Sequence, residues 1–162
     1  MRIGDIDWST WKAKDPATLV FVVKEGSILL IRKKRGLGAG KINAPGGRIE
    51  PGESPMEAAI REAQEELHIT PLGLTYSGEN LFQFMDGYSI HVHVFRADDF
   101  LGEPTETNEA APLWTPLDRI PYDEMWEDDR LWVPLVLREV PFFGRYVFDG
   151  DVMLDHDLRV ES

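Results

Sequence analysis

The most constraining stretch of this 162-residue chain runs from Gly47 to Ile69, and it opens with a helix start written into four consecutive residues, Ser54-Pro55-Met56-Glu57. Ser54 can cap the free backbone N–H groups, Pro55 suits the first helical position, and Glu57 completes a capping box. Met56, Ala59, Ile60, Ala63 and Leu67 then recur at helical spacing and form one apolar face. Glu62, Glu65 and Glu66 are three and four residues apart, so their carboxylates fall on adjacent turns. Glu53 stands just before the cap and can fold back towards them, and Arg61 is the cation placed among them. Like charges this close repel, and a divalent cation held by carboxylate oxygens would remove the conflict. A solvated acidic helix face is the other reading of the same residues. Ala44-Pro45-Gly46-Gly47 precedes the helix, and its glycines let backbone approach a ligand closely.

At 162 residues the chain is expected to be one domain spanning residues 1–162, with 1–16 as an N-terminal extension. It has no cysteine, which excludes disulfides and thiolate metal sites. No stretch approaches the apolar length of a membrane span, and the first eleven residues are too polar for a signal peptide, so a cytoplasmic protein is expected. A formal net charge of −12 argues against binding nucleic acid, which needs a basic surface. A free triphosphate is equally disfavoured unless metal ions and a few placed cations screen it. No protein partner is evident.

Trp8 and Trp11, three apart in the lead-in, read as structural packing. Strands are expected over Thr18–Lys24 and Ile28–Lys33 with a tight turn at Glu25-Gly26-Ser27, and over Gly78–Met85 and Tyr88–Ala97 joined at Asp86-Gly87. Lys33-Lys34-Arg35 leads into the glycine-rich stretch 36–41, either a phosphate-binding loop or a solvated one. His91 and His93 alternate along a strand and share a face. A two-histidine metal site needs a third ligand, which the sequence does not display, so they read as polar-face residues. Glu103, Glu106 and Glu109 lie in an acidic loop, and one of them could reach a metal. A short strand over Leu113–Leu117 and an irregular turn over Pro121–Trp126 follow. Residues 128–137 read as a second helix, with Asp128 or Asp129 as its N-cap and Pro134 in tension with it. Strands Phe142–Phe148 and Val152–Val160, joined at Asp149-Gly150, close the chain.

Gly47, five residues, Glu53, seven residues, then Arg61-Glu62-Ala63-Gln64-Glu65-Glu66-Leu67-His68-Ile69 resembles the Nudix box at every defining acidic and basic position. His68 stands where that pattern has glycine, at a helix end where a left-handed backbone suits glycine best. Lys33 to Gly36, residues 38–40, Asn43, Pro121, Met125-Trp126, Asp128-Asp129 and Leu154 to Arg159 extend the resemblance over roughly Thr18 to Val160. They are most similar to the MutT-related branch, and within it to the animal-type 8-oxo-dGTPases. The resemblance implies an α+β fold, an α/β/α sandwich with a mixed sheet between helices. It implies hydrolysis of oxidised purine nucleoside triphosphates to the monophosphate and pyrophosphate, with sanitisation of the nucleotide pool.

The same resemblance implies Glu62, Glu65 and Glu66 as ligands of Mg²⁺, or Mn²⁺, joined by the Gly46 carbonyl and by Glu109. Arg61 would orient the glutamates. Glu66 is the first choice for general base and Glu65 the second. Asn43, Trp126, Asp128 and Asp129 would form the base pocket, Thr18 and Lys33 would line the site, and Leu37, Phe82 and Ile90 would form its walls. Two aspartates facing one base would share a proton. Pro45 replaces an aromatic of the branch and Ile42 a tryptophan, which bears on the choice of base. A Nudix hydrolase of another diphosphate, such as ADP-ribose or a normal or methylated nucleotide, and a non-catalytic nucleotide-binding module are the alternatives.

Overall fold

The computed structural model describes residues 1–160. Strands β1 (Asp15–Lys24) and β2 (Ser27–Lys33) form the first hairpin, with Lys24 paired to Ser27. Glu25 and Gly26 between them have φ of 52° and 76°, the left-handed pair that a primed two-residue turn requires. Two short strands then appear where the sequence shows none. These are β3 (Ile42–Asn43), paired with β2, and β4 (Gly46–Arg48), paired with β1. Their residues carry no alternation, so their partners make them strands rather than any local preference.

Helix α1 (Pro55–Leu67) begins as its cap dictates. Glu57 N donates to Ser54 Oγ at 3.1 Å, and Ser54 N donates to Glu57 Oε1 at 2.9 Å. Met56, expected on the apolar face, is exposed, and Ala58 is buried instead. The buried stripe is therefore Ala58, Ala59, Ala63, Glu66 and Leu67, a rotation that carries one glutamate inward. His68 ends the helix at φ 60° and ψ 34°, with its N–H on Gln64 O. A non-glycine residue in this region costs roughly 1–2 kcal/mol, partly offset by the greater chain entropy of glycine. His68→Gly should stabilise the fold by about 0.5–1 kcal/mol, raising Tm by about 1–4 °C in calorimetry.

Strands β5 (Thr70–Leu72), β6 (Thr75–Phe84), β7 (Ser89–Ala97), β8 (Asp99–Leu101) and β9 (Ala110–Pro116) follow, then α2 (Asp129–Leu137), β10 (Phe142–Asp149) and β11 (Val152–Val160). The main sheet runs β11-β10-β6-β7-β1-β2-β3, with β4 beside β1 and β9 beside β2, while β5 and β8 pair separately. The β1–β7 and β6–β10 pairings are parallel and the others antiparallel, so the sheet is mixed.

Alternate strand residues serve two cores. Val20, Val22, Leu29, Ile31, Phe95 and Ala97 pack with Ala59, Ala63 and Leu67 of α1. Phe21, Ile28, Leu30, Val94, Tyr146 and Phe148 pack with Trp132, Val133 and Val136 of α2. This is the α/β/α sandwich of the α+β class that the resemblance implies. Pro134 sits inside α2 and removes one helical N–H there. Trp8 and Trp11 pack against each other at 5.2 Å with tilted rings and donate to Ile3 O and Gln83 Oε1, a structural use. No helix among the described residues is long and apolar enough to cross a membrane.

Candidate active site

The acidic face of α1 is organised by Arg61. Its Nε and Nη2 donate to the two oxygens of Glu53 at 2.7 and 2.9 Å, a bidentate pair across the helix start. Nη1 donates to Glu62 Oε1 at 2.8 Å and to Glu65 Oε2 at 3.2 Å, and Nη2 also reaches Arg48 O. These bonds hold the Glu53 carboxyl down to about 2 and raise the Arg61 pKa. One guanidinium thus ties three carboxylates and the glycine-rich strand together. Glu66 lies inward of this web, 3 % exposed, with Gly46 N–H donating to its Oε1 at 2.9 Å. Burial, and then the nearby Glu62 and Glu109 charges, push the Glu66 carboxyl up to about 8 against the pull of Gly46 and Lys33. The Glu62 pKa is likewise raised, first by burial and also by Glu65 and Glu109.

Between this cluster and α2 a pocket opens. Thr18, Lys33, Leu37, Asn43, Gly46, Glu66, Phe82, Ile90, Trp126, Asp128 and Asp129 all line it, whereas Arg61, Glu62, Glu65 and Glu109 stand beyond it around Glu66. Thr18 and both aspartates are buried, and Thr18 Oγ1, Asp128 Oδ1 and Asp129 Oδ2 have no hydrogen-bond partner. Such orphaned groups are costly unless a ligand completes them. Asn43 Oδ1 accepts from Ala44 N. Trp126 is held by Phe84 and Phe148 packing edge-on at 6.0 and 5.6 Å, and a side chain at Gly38 would strike its indole nitrogen.

Asp128 occupies the residue before α2, yet its side chain caps nothing, which corrects the N-cap reading. Its Oδ2 accepts from Trp132 Nε1 at 2.7 Å, because burial beside the indole outweighs the pull of the helix start. Burial raises the pKa of both aspartates, and the charge of Asp128 raises that of Asp129 further. Trp132 and Phe84 are pocket residues that sequence reading missed, although an aspartate four residues before a tryptophan was a visible signal for the first. The basic loop splits: Lys34 pairs with Glu106 and Arg35 with Glu109, while Lys33 lines the pocket.

The raised carboxyls have a consequence for stability. A group protonated in the folded state up to about pH 8, against 4.5 in the unfolded chain, makes the folded state bind the extra proton across that window. Stability of the metal-free protein should therefore fall as pH rises from 5 to 8, by at most about 1.4 kcal/mol per pH unit from Glu66. The aspartate pair adds the same sign, whereas Glu53, depressed to about 2, contributes only a small opposing slope near pH 5. Denaturant unfolding in chelator across this range, repeated on Glu66→Gln, should show the slope and its reduction.

An acidic helix follows a glycine strand and packs beside this pocket on a mixed sheet, and the NUDIX domain profile matches residues 13–136. The chain belongs to the Nudix family of hydrolases, enzymes that act with a divalent cation. It is 46% identical over 143 residues to the oxidized purine nucleoside triphosphate hydrolase of Danio rerio, covering 87% of this chain and 92% of that one. It is 40% identical over 144 residues to the protein of the same name from Mus musculus, covering 88% and 92%. Among solved structures it resembles the MutT protein of Bacillus halodurans, with a TM-score of 0.80 and 27% identity over 89% of this chain and 97% of that one.

Proposed function

We propose that this protein is a Mg²⁺-dependent pyrophosphohydrolase of oxidised purine nucleoside triphosphates, releasing the monophosphate and pyrophosphate and so clearing the nucleotide pool. One observation carries the reading. A buried pair of aspartates with raised pKa and the Trp126 indole line the same pocket as Glu66 of the carboxylate cluster. Both relatives that match nearly end to end are named for that activity.

The crowded carboxylates of Glu62, Glu65 and Glu66, two of them with raised pKa, are an all-oxygen donor set that a hard cation suits, so Mg²⁺ fits and Mn²⁺ is accepted by the same oxygens. Glu62, Glu65, Glu66, Glu109 and the Gly46 carbonyl would hold it. When bound, the ion neutralises phosphate charge and acidifies a water. Arg61 holds Glu62 and Glu65 in place through Nη1, while its Nε–Nη2 fork is anchored on Glu53. Glu66 takes the proton of the attacking water as oxygen adds to phosphorus and the anhydride bond breaks, with the electron pair leaving on pyrophosphate. Glu65 is the second choice for that role, because its side chain is 52% exposed. Lys33 faces phosphate from the pocket.

Asn43, Asp128 and Asp129 read the base edge, with Trp126 stacked on the ring. Thr18 Oγ1 supplies a further donor or acceptor. Leu37, Phe82 and Ile90 form apolar walls, with Phe82 seated on Tyr146 at 5.0 Å. The test is product release from 8-oxo-dGTP, dGTP, 2-oxo-dATP and ADP-ribose with and without Mg²⁺. The expected result is a metal-dependent preference in kcat/KM for an oxidised purine triphosphate. Faster ADP-ribose cleavage would retain the carboxylate cluster and overturn the base pocket.

A further inference from the structure

His91 and His93 share the α1 face of β7 with Phe95 and Ala97, and lie nearer the start of the strand. Strand pairing supplies what the sequence withheld. Glu79 of β6 is directly opposite His93, and Leu81 opposite His91, which puts the Glu79 carboxylate on the same face as both rings. The imidazole centroids are 4.4 Å apart, and one nitrogen of each and one Glu79 oxygen all lie within 4.8 Å of one another. None of the three lines the nucleotide pocket.

The hydrogen bonding inside the cluster is incomplete. Tyr76 Oη lies 2.8 Å from Glu79 Oε2 and 2.7 Å from His93 Nδ1, so a proton on Nδ1 and the phenol proton satisfy those three groups in a chain. His91 Nε2 is left buried and without a partner, 3.7 Å from Glu79 Oε2. A buried unpartnered nitrogen of this kind costs about 1–3 kcal/mol. Burial, and then the His91 ring, lower the His93 pKa and favour the neutral imidazole that binds metals.

We propose that Glu79, His91 and His93 form a second metal site, for Zn²⁺, separate from the carboxylate cluster of the box. Two imidazoles and a carboxylate with a position left for water are the donor set of open zinc sites. Mg²⁺ prefers oxygen alone, so ligand chemistry sorts the two ions between the two clusters. Bonds of 2.0–2.1 Å in tetrahedral geometry place ligand atoms about 3.3 Å apart, so the longest separation must close by at most about 1.5 Å through side-chain rotation. All three side chains are partly exposed, which gives the ion a path in. The Tyr76 hydroxyl remains to orient the Glu79 carboxylate from behind. Thr18 pairs with His93 on one side and Gly47 on the other, so a single strand separates this site from the glycine strand of the box.

The test is Zn²⁺ titration of the full chain in saturating Mg²⁺, by calorimetry and by NMR of the imidazole nitrogens. One equivalent should bind and shift His91 and His93, leaving His68 and His156 in place. His91→Ala should weaken it about 100-fold or more, as loss of a ligand does, and Glu65→Gln should leave it unchanged. Shifts confined to His68 or His156, loss of binding in Glu65→Gln alone, or no binding would overturn the proposal. The NMR reading is made on the unaltered chain, so it holds even if a variant fails to fold.

Discussion

Glu66→Gln is expected to lower kcat by about a thousandfold, within the 10²–10⁴ range of general-base loss, while the fold survives. The amide keeps the volume of the side chain, and its oxygen still accepts the Gly46 N–H bond now made at 2.9 Å. What disappears is the negative charge and the proton acceptor in a site where burial has pushed the carboxyl up to about 8. The same substitution should make the metal-free protein more stable at pH 8, because ionising Glu66 in its buried position no longer opposes folding. Activity and stability thus move in opposite directions, a combination that simple damage to the fold does not produce. Steady-state pyrophosphate release together with denaturant unfolding in chelator measures both. Activity within tenfold of the unaltered enzyme would move the base to Glu65.

Asp129→Asn is expected to reduce kcat/KM for an oxidised purine triphosphate by about 10–100-fold and to flatten the pH dependence of base selectivity. Both Asp128 and Asp129 are buried, and the Asp128 charge raises the pKa of Asp129 above its own burial effect. On the proposed reading, one proton shared by the two carboxyls would let the pair present a donor or an acceptor to the base. An asparagine fixes one donor and one acceptor and cannot exchange them, leaving a mismatched polar group at about 1–3 kcal/mol. Asp128, bonded to Trp132 at 2.7 Å, stays in position in this variant. Selectivity profiles between pH 5 and 8 for 8-oxo-dGTP and dGTP decide the matter. An unchanged profile would remove the aspartate pair from base recognition.

The sequence displays those parts of the site that are local along the chain. The capping box of α1, the Arg61 contacts with Glu53, Glu62 and Glu65, and the left-handed end at His68 all connect residues within one or two turns. Hairpins at Glu25-Gly26 and Asp86-Gly87 are local in the same sense. The inward roll of α1 that exposes Met56 and buries Glu66 depends on what the sheet offers it, and no helical periodicity contains that. Strands β3 and β4 exist because β2 and β1 accept them. Asp128 looks like a cap until Trp132 is seen beside it, and Glu79 is joined to His91 and His93 through strand register alone. Distance along the chain separates what could be read from what could not.

The two parallel pairings set the order in which this protein can assemble. Lys14 and Ser89, at the mouth of the β1–β7 pairing, are 75 residues apart, and β10 must then reach back to β6. Such contacts repay their loop-closure entropy late, so folding is slow for a domain of this size. At 5–20 residues per second of synthesis, β1 waits roughly 4–15 s for its central neighbour. During that wait its apolar run Leu19 to Val23 has one open flank, vulnerable to pairing with another nascent chain. Helix α1 is synthesised early, whereas Trp126, Asp128, Asp129 and Trp132 of the pocket arrive only at the start of α2. On the roles proposed above, the cell would therefore make the chemistry of this enzyme before it makes the selectivity.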